Sequence, residues 1–285
     1  MEILESVAIV IPIYRNELSE FEAISLHQAG KVLGVYPFTL ITCENVNTNC
    51  HEMILSEYKV KVRRVLFKPT YFKSISGYNR LLTSLHFYQT FIKYKYILIL
   101  QLDVFVFKDE LAEWCRRGHD FVGAPWLHGM NEAKQDASYF GVGNGGFSLR
   151  SVKSAIRVLK SFSYIRQPRE SLNRFRAESG VGIIKRLIRM FRDFTFANNT
   201  FSLLNNYSGY EDHFWGIIAR RNFKWYRVPE PEEALMFSIE VQPRSLFERN
   251  RSVLPFGCHA WWRYDLEFWR PFIEKEGHVL SVLDE

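Results

Sequence analysis

Paired cysteines are missing from this sequence. Cys43, Cys50, Cys115 and Cys258 are scattered with no CxxC spacing, which excludes a paired-thiol site and leaves buried, reduced thiols as the reading. No run reaches the roughly 18 apolar residues needed to cross a bilayer, so no spanning helix is expected. A secretory leader pattern is missing too: Glu2 and Glu5 precede a short apolar run broken by Pro12, and the expected location is cytoplasmic, free or peripheral on the inner face of the membrane. The chain has no GxxxxGK[ST] phosphate loop and no GxGxxG after its first apolar run, which excludes the P-loop and dinucleotide fingerprints. It shows no nucleic-acid module, and its basic residues are not interleaved with a repeating aromatic platform, so nucleic acid is not an expected partner. There is no internal repeat and no low-complexity linker.

What is present is apolar and aromatic. The 285 residues are 47% hydrophobic, enough for one sizeable core, and 16% aromatic, with 24 Phe, 14 Tyr and 7 Trp. That suits a thick core plus stacking surfaces for planar or sugar ligands. The net charge of +6 is uneven. Residues 150–192 hold 12 Lys/Arg against 2 Asp/Glu, a local net of +10, so the rest of the chain nets about −4, the difference between +6 and +10.

Strand and helix patterns alternate through the first 125 residues. Residues 6–13 (SVAIVIPI) read as a buried first strand, 20–33 as a helix, 38–43 as a second strand and 60–67 as a third, more exposed one. Apolar positions at Tyr78, Leu81, Leu82, Leu85, Tyr88 and Ile92 predict a helix over 78–92, followed by a strand over 97–107, a helix over 111–117 and a short strand over 120–123. The alternation predicts an α/β fold, a mostly parallel sheet with helices on its faces. Further helices are expected at 151–162, 182–191 and 210–221, and a short one near the C-terminus.

Four constellations carry candidate chemistry. Asp103 interrupts the apolar run 96–107, with Gln101 two residues before it. A buried strand tolerates a carboxylate only where a cation or ligand hydroxyl compensates it, and strand ends are where open α/β sheets bind ligands. The alternative is a carboxylate capping the next turn. Glu211-Asp212 opens a predicted helix; the helix dipole favours acids there in any case, and the functional reading makes one a general base. His259, between Phe256 and the pair Trp261-Trp262, is either a structural histidine or a ligand for a borderline cation. Residues 141–146 pack four glycines into six positions, as a tight hairpin or as backbone brought close to a sugar or phosphate.

Taken in order, Gln101-Leu102-Asp103, 143–150 (GNGGFSLR), 211–215 (EDHFW) and 255–261 (PFGCHAW) resemble the GT-A class of nucleotide-sugar-dependent glycosyltransferases, in a bacterial and fungal branch. The resemblance implies one GT-A-like domain over 1–285: a nucleotide-binding half over 1–125 and an acceptor-side half over 126–285, with a basic helical segment at 160–205. It implies that Asp103 matches the last Asp of the DxD motif and, with His259, binds Mn²⁺ or Mg²⁺ and through it the donor diphosphate. Gln101 stands where that motif has its first Asp, which removes one negative charge. Asp212, with Glu211, matches an ED pair, and Asp212 would be the base of an inverting transfer. Pro12 and Tyr14 match the nucleotide-binding first strand, Glu44 a base contact, and Gly145, Gly146 and Trp261 the remaining donor contacts. The implied reaction moves a sugar from a nucleotide-sugar, expected to be UDP-linked, to a saccharide or lipid-linked acceptor in bacterial surface polysaccharide synthesis such as O-antigen or capsule. A non-catalytic nucleotide- or sugar-binding protein with a degenerate site is the alternative that Gln101 motivates. A glycoside hydrolase using two carboxylates is a third reading.

Residues 182–191 (GIIKRLIRMF) alternate apolar and basic side chains. Such a stretch lies on anionic lipid, packs on the core with a solvated basic face, or lines a groove for an anionic acceptor. The segment 182–192 is the expected contact with an anionic membrane surface.

Overall fold

The structure, a computed structural model, describes residues 6–134, 136–162, 168–177, 180, 182–194 and 199–280. Parts of the basic stretch 160–205, namely 163–167, 178–179, 181 and 195–198, lie outside the described residues.

Four strands run parallel in the order β3-β2-β1-β4: β1 Val7–Pro12, β2 Phe38–Thr42, β3 Val62–Leu66 and β4 Tyr96–Leu100. After β5 Val104–Val106 come β6 Phe121–Val122, β7 Ala124–Leu127, β8 Tyr139–Gly143, β9 Phe147–Ser151, β10 Ser238–Ile239 and β11 Gly257–His259. β9 extends the central sheet antiparallel to β4, and β6 pairs on β9. A ribbon of β7 and β8 and a small sheet ordered β10-β11-β5 stand beside it. The result is a mixed α/β fold with a mostly parallel central sheet flanked by helices.

The unbroken apolar runs of β1 and β4 follow from burial on both faces. Val7, Ile9 and Ile11 of β1, with Tyr96, Leu98 and Leu100 of β4, enter one core with Leu26, Leu33, Leu55 and Trp114. The alternate residues Ala8, Val10, Ile97 and Ile99 enter a second core with Leu81, Phe87, Val158, Phe214 and Trp215. Helices Glu20–Leu33, Asn49–Glu57 and Leu111–Arg117 therefore cover one face. Helices Ile75–Leu82, Leu85–Thr90, Val152–Lys160 and the helical stretch 211–222 cover the other. The first of these helices starts where the capping chemistry directs: Ser19 Oγ accepts from Glu22 N–H, and Glu22 accepts from the Ser19 N–H at 2.8 Å.

Two expected elements are divided. The helix anticipated over 78–92 is Ile75–Leu82 followed by Leu85–Thr90, because Ser84 Oγ caps Phe87 N–H at 3.2 Å and restarts the helix. The single strand anticipated over 97–107 is β4 and β5, in different sheets. Gln101 still bonds β9 through its N–H to the Gly146 carbonyl (2.8 Å), and Val104 N–H closes a turn onto the Gln101 carbonyl (3.1 Å). Asp103 thus sits in a sharp turn at the sheet's edge rather than inside a strand, which is how it avoids the apolar surroundings of β4. Among the described residues no helix is long and apolar enough to cross a membrane.

Candidate active site

The strand order reverses between β1 and β4. The crevice beyond the carboxyl ends of those two strands is the topological switch point, where open α/β sheets bind ligands. Ile13 and Tyr14 leave β1 there, and Gln101 to Asp103 leave β4. A cavity of about 540 Å³ opens at this place; Tyr14, Tyr78, Gln101, Gly146, Asp212 and His259 line it, among others. A smaller lobe of about 160 Å³ shares Tyr14 and Gln101 with it and is lined further by Pro12, Asp103 and Trp262. Tyr14 makes edge contacts with Phe72 and Tyr78 at 5.8 and 5.6 Å between ring centroids, which gives the cavity an aromatic wall.

Asp103 and His259, 156 positions apart in sequence, meet because β5 and β11 pair antiparallel, with Val104 opposite His259. The Ala260 N–H then bonds the Asp103 carbonyl at 2.8 Å, and Ala260 takes a left-handed backbone (φ +51°) that turns the chain away directly after the imidazole. His259 Nε2 lies 3.1 Å from Asp103 Oδ1. Both atoms are buried, and neither has a polar partner besides the other. His259 Nδ1 is 2.8 Å from Glu240 Oε1. A carboxylate only accepts, so Nδ1 carries a proton toward Glu240, and without a cation Nε2 carries one toward Asp103; a cation bound there would displace the Nε2 proton. Burial opposes the charged imidazole, but the Asp103 and Glu240 charges more than offset it and lift His259 to about 10. Burial likewise works against ionised Asp103, and the His259 charge overcomes it to hold that carboxyl below its usual value.

The glycine loop joins β8 to β9 and crosses under this pair. Asn144, with φ +98°, accepts from Gly146 and Phe147 N–H at 3.0 and 3.1 Å and pins the turn. A Cβ on Gly146 would stand 2.1 Å from His259 Nε2, so glycine is what allows the imidazole its position. The Asn144 and Gly145 N–H groups point to Asp212 Oδ2 at 3.1 and 3.0 Å, and His213 N–H reaches Oδ1 at 2.8 Å. Burial and the Glu240 charge raise the Asp212 carboxyl, against the lowering effect of the backbone donors.

The other half of the acidic pair is differently placed. Both oxygens of Glu211 are held by Arg150, at 2.6 and 2.8 Å, with both side chains buried. Arg150 also bonds Ser148 Oγ from Nε and Nη2, at 3.0 and 2.9 Å. The helical stretch 211–222 that presents the pair is π-wound over Phe214–Ala219, where Gly216 lies flat against the Val142 carbonyl of β8.

Of the residues anticipated from sequence, Tyr14, Gln101, Gly145, Gly146, Glu211, Asp212 and His259 line the main cavity, and Pro12 and Asp103 the smaller lobe. Two lie elsewhere. Trp261 is wholly buried and donates its indole N–H to Ser25 Oγ at 3.0 Å, while its neighbour Trp262 faces the cleft. Glu44 is exposed beyond β2, in a separate groove with Lys68 and His86. Glu240 was not anticipated, although it carries a signal like that of Asp103, a lone carboxylate between Ile239 and Val241. Lys73 at the cavity wall was also missed; a single lysine between Phe72 and Ser74 has nothing in the sequence to mark it.

Among the described residues no three His, Cys, Asp or Glu side chains are grouped to hold a metal ion by themselves. Asp103 Oδ1 and His259 Nε2 nevertheless fit as two ligands of a hard or borderline cation. Neighbouring ligands at octahedral bond lengths of about 2.1 Å are about 3.0 Å apart, both atoms lack another partner, and a carboxylate supports the imidazole from behind, as is usual for metal-bound histidine.

Residues 61–259 match the sequence family described as "Protein of unknown function (DUF5672)". The chain belongs to that family. Asp103, the glycine loop, Asp212, Glu240 and His259 all lie within the matched stretch. No curated protein matches the chain. In fold, the chain is similar to a glycosyltransferase involved in glycosylation of the major capsid of PBCV-1 (9% identity, TM-score 0.43, 95% of this chain and 99% of that one). It is also similar to the glycosyltransferase GlyE of Streptococcus pneumoniae TIGR4 (12%, 0.46, 94% of this chain and 62% of that one). A third is core-mannan synthase A of Aspergillus fumigatus in its Mn/GDP form (12%, 0.39, 73% and 70%). At these scores the likeness is loose, and neither activity nor ligand passes from those proteins to this one.

Proposed function

We propose that the protein is a glycosyltransferase that takes a sugar from a nucleotide-sugar, UDP-linked in this reading, and passes it to a saccharide or lipid-linked acceptor. Within one domain, 1–125 holds the nucleotide and 126–285 the acceptor, and the pathway is a bacterial surface polysaccharide. The observation that carries this reading is the pair Asp103 Oδ1 and His259 Nε2, buried, 3.1 Å apart and otherwise without partners, at the switch point and beside Asp212.

Each group then has a task. The aromatic wall of Tyr14, Phe72 and Tyr78 stacks a planar base or sugar face. Asp103 and His259 would hold Mn²⁺ or Mg²⁺, with diphosphate oxygens completing the shell, and the cation would neutralise the leaving nucleoside diphosphate. Lys73 lies on the same wall as a second positive charge for the phosphates. Asp212, oriented by three backbone N–H groups and raised in pKa, takes the proton from an acceptor hydroxyl as that oxygen attacks the anomeric carbon. One such base suffices for a single displacement with inversion. Glu211, engaged on both oxygens, positions Asp212 and the glycine loop. Gln101 supplies an amide where a second acid would add charge, and so directs a hydrogen bond to a hydroxyl.

Calorimetry of UDP with and without Mn²⁺, followed by product analysis over a panel of UDP-sugars, tests the proposal. Saturable binding of UDP that needs the cation and is lost in Asp103→Asn is expected. Absence of binding by any nucleotide, with or without cation, would overturn it. The two-ligand site and Gln101 also favour a second reading, a non-catalytic nucleotide-sugar binder. Donor turnover that Asp212→Asn abolishes separates the two.

A further inference from the structure

Helix Ile183–Phe194 is wound inside out. Its polar edge faces the protein: Asp193 is buried, and the Arg186 guanidinium bonds the Phe175 carbonyl and lies over the Phe175 ring at 4.6 Å from the centroid. Its apolar edge faces solvent, with Ile183, Ile184, Ile188 and Phe191 exposed at 63, 70, 63 and 72%. At 3.6 residues per turn, positions 183, 184, 187, 188, 191 and 194 form one continuous stripe. A soluble surface helix normally turns such a stripe inward, so the exposed one is a contact surface in search of an apolar environment.

The charge around the stripe selects that environment. Helix Ile183–Phe194 itself carries Lys185, Arg186, Arg189 and Arg192 against Asp193. Within the helix, Lys185 and Arg192 border the stripe on its Ile188 side. A second copy that met this face with its own copy of the same face would bring like charge together. The helix has 12 residues, about 18 Å, too short to cross a bilayer but long enough to lie along one.

We propose that helix Ile183–Phe194 is an interfacial anchor that seats the protein on an anionic lipid surface, its apolar stripe in the acyl boundary and its basic flank among the headgroups. The proposal does not depend on the activity proposed above, since it is read without substrate.

The test is co-sedimentation of the full chain with vesicles of phosphatidylcholine alone and of phosphatidylcholine with phosphatidylglycerol at 3:1. Binding to the anionic vesicles, weak or no binding to the neutral ones, and release by salt are expected. Ile184→Ser with Phe191→Ser should weaken binding at least ten-fold with an unchanged melting temperature, because both side chains are already in water. Lys185→Gln should weaken it about five-fold, the effect of one cation near such a surface. Val35→Ser with Met53→Ser, two exposed apolar residues elsewhere, should leave it unchanged. Failure to bind anionic vesicles, equal binding by the Ile184/Phe191 variant, or a lipid-independent dimer that this variant dissociates in light scattering would each overturn the proposal.

Discussion

Glu240 accepts a hydrogen bond from His259 Nδ1 at 2.8 Å, and this contact decides which imidazole nitrogen faces Asp103. Supporting carboxylates of this kind keep a ligating histidine in one tautomer and orientation, and their loss weakens metal binding roughly 10–100-fold. Glu240→Ala is therefore expected to weaken Mn²⁺-dependent UDP binding by that factor in calorimetry. Glu240→Gln, whose amide oxygen still accepts from Nδ1, should recover part of it. Unchanged affinity in the alanine variant would remove Glu240 from the site.

Gly146 gives a test of position rather than charge. A methyl group there would overlap His259 Nε2 at 2.1 Å, and the imidazole must swing away from Asp103 to make room. Gly146→Ala should therefore lose cation-dependent nucleotide binding as fully as His259→Ala does. Its fold should survive, since the side chain that moves lies at a cavity wall. Gly145→Ala meets Glu211 Oε1 at 2.6 Å instead, and its effect should fall on stability. The contrast is read by pairing calorimetry with thermal melts of both variants.

The legible and illegible parts of this molecule divide along physical lines. β1, β4 and helix Glu20–Leu33 were readable because two-face burial leaves an unbroken apolar run and a capping box leaves a fixed spacing. Asp103 was readable because a carboxylate in such a run needs a reason. The break after Leu100 was not, because Val104–Val106 continues the same apolar composition while changing sheets; a turn made by hydrogen bonds to Gln101 and Gly146 leaves no compositional mark. The adjacency of Asp103, Asp212 and His259 is tertiary, set by β5–β11 pairing and by the glycine loop. Spacing along the chain carries no trace of it. Trp261 and Trp262 are neighbours of identical type, and only helix phase sends the first into the core. The exposed stripe of helix Ile183–Phe194 has the same periodicity as a buried one; which side faces the protein is decided by Asp193 and Arg186.

Asp212 bears the proposed chemistry and should show it kinetically. Asp212→Asn keeps the side chain's size and, with its amide oxygen turned to the Asn144 and Gly145 N–H groups, two of the three backbone bonds, while it removes the basicity. Loss of a general base lowers turnover by roughly 10²–10⁴. The expectation is a fall of that size in kcat for sugar transfer, with nucleotide affinity within about three-fold of the parent chain. A matching loss of UDP affinity in calorimetry would instead place Asp212 in donor binding.

Arg150 and Glu211 should behave as one unit. Each is buried, and their two hydrogen bonds at 2.6 and 2.8 Å leave no water to replace a missing partner. Removing one charge strands the other in the core, which costs roughly 3–5 kcal/mol. Glu211→Gln and Arg150→Met should each lower the melting temperature by several degrees, at about 2 °C per kcal/mol for a chain of this size. The double substitution Arg150→Met with Glu211→Leu removes both charges, and its loss should be smaller than the sum of the two single losses. Additive losses in thermal melts would mean that the two side chains stabilise the fold independently, and the pair would then not be what holds Asp212 against the glycine loop.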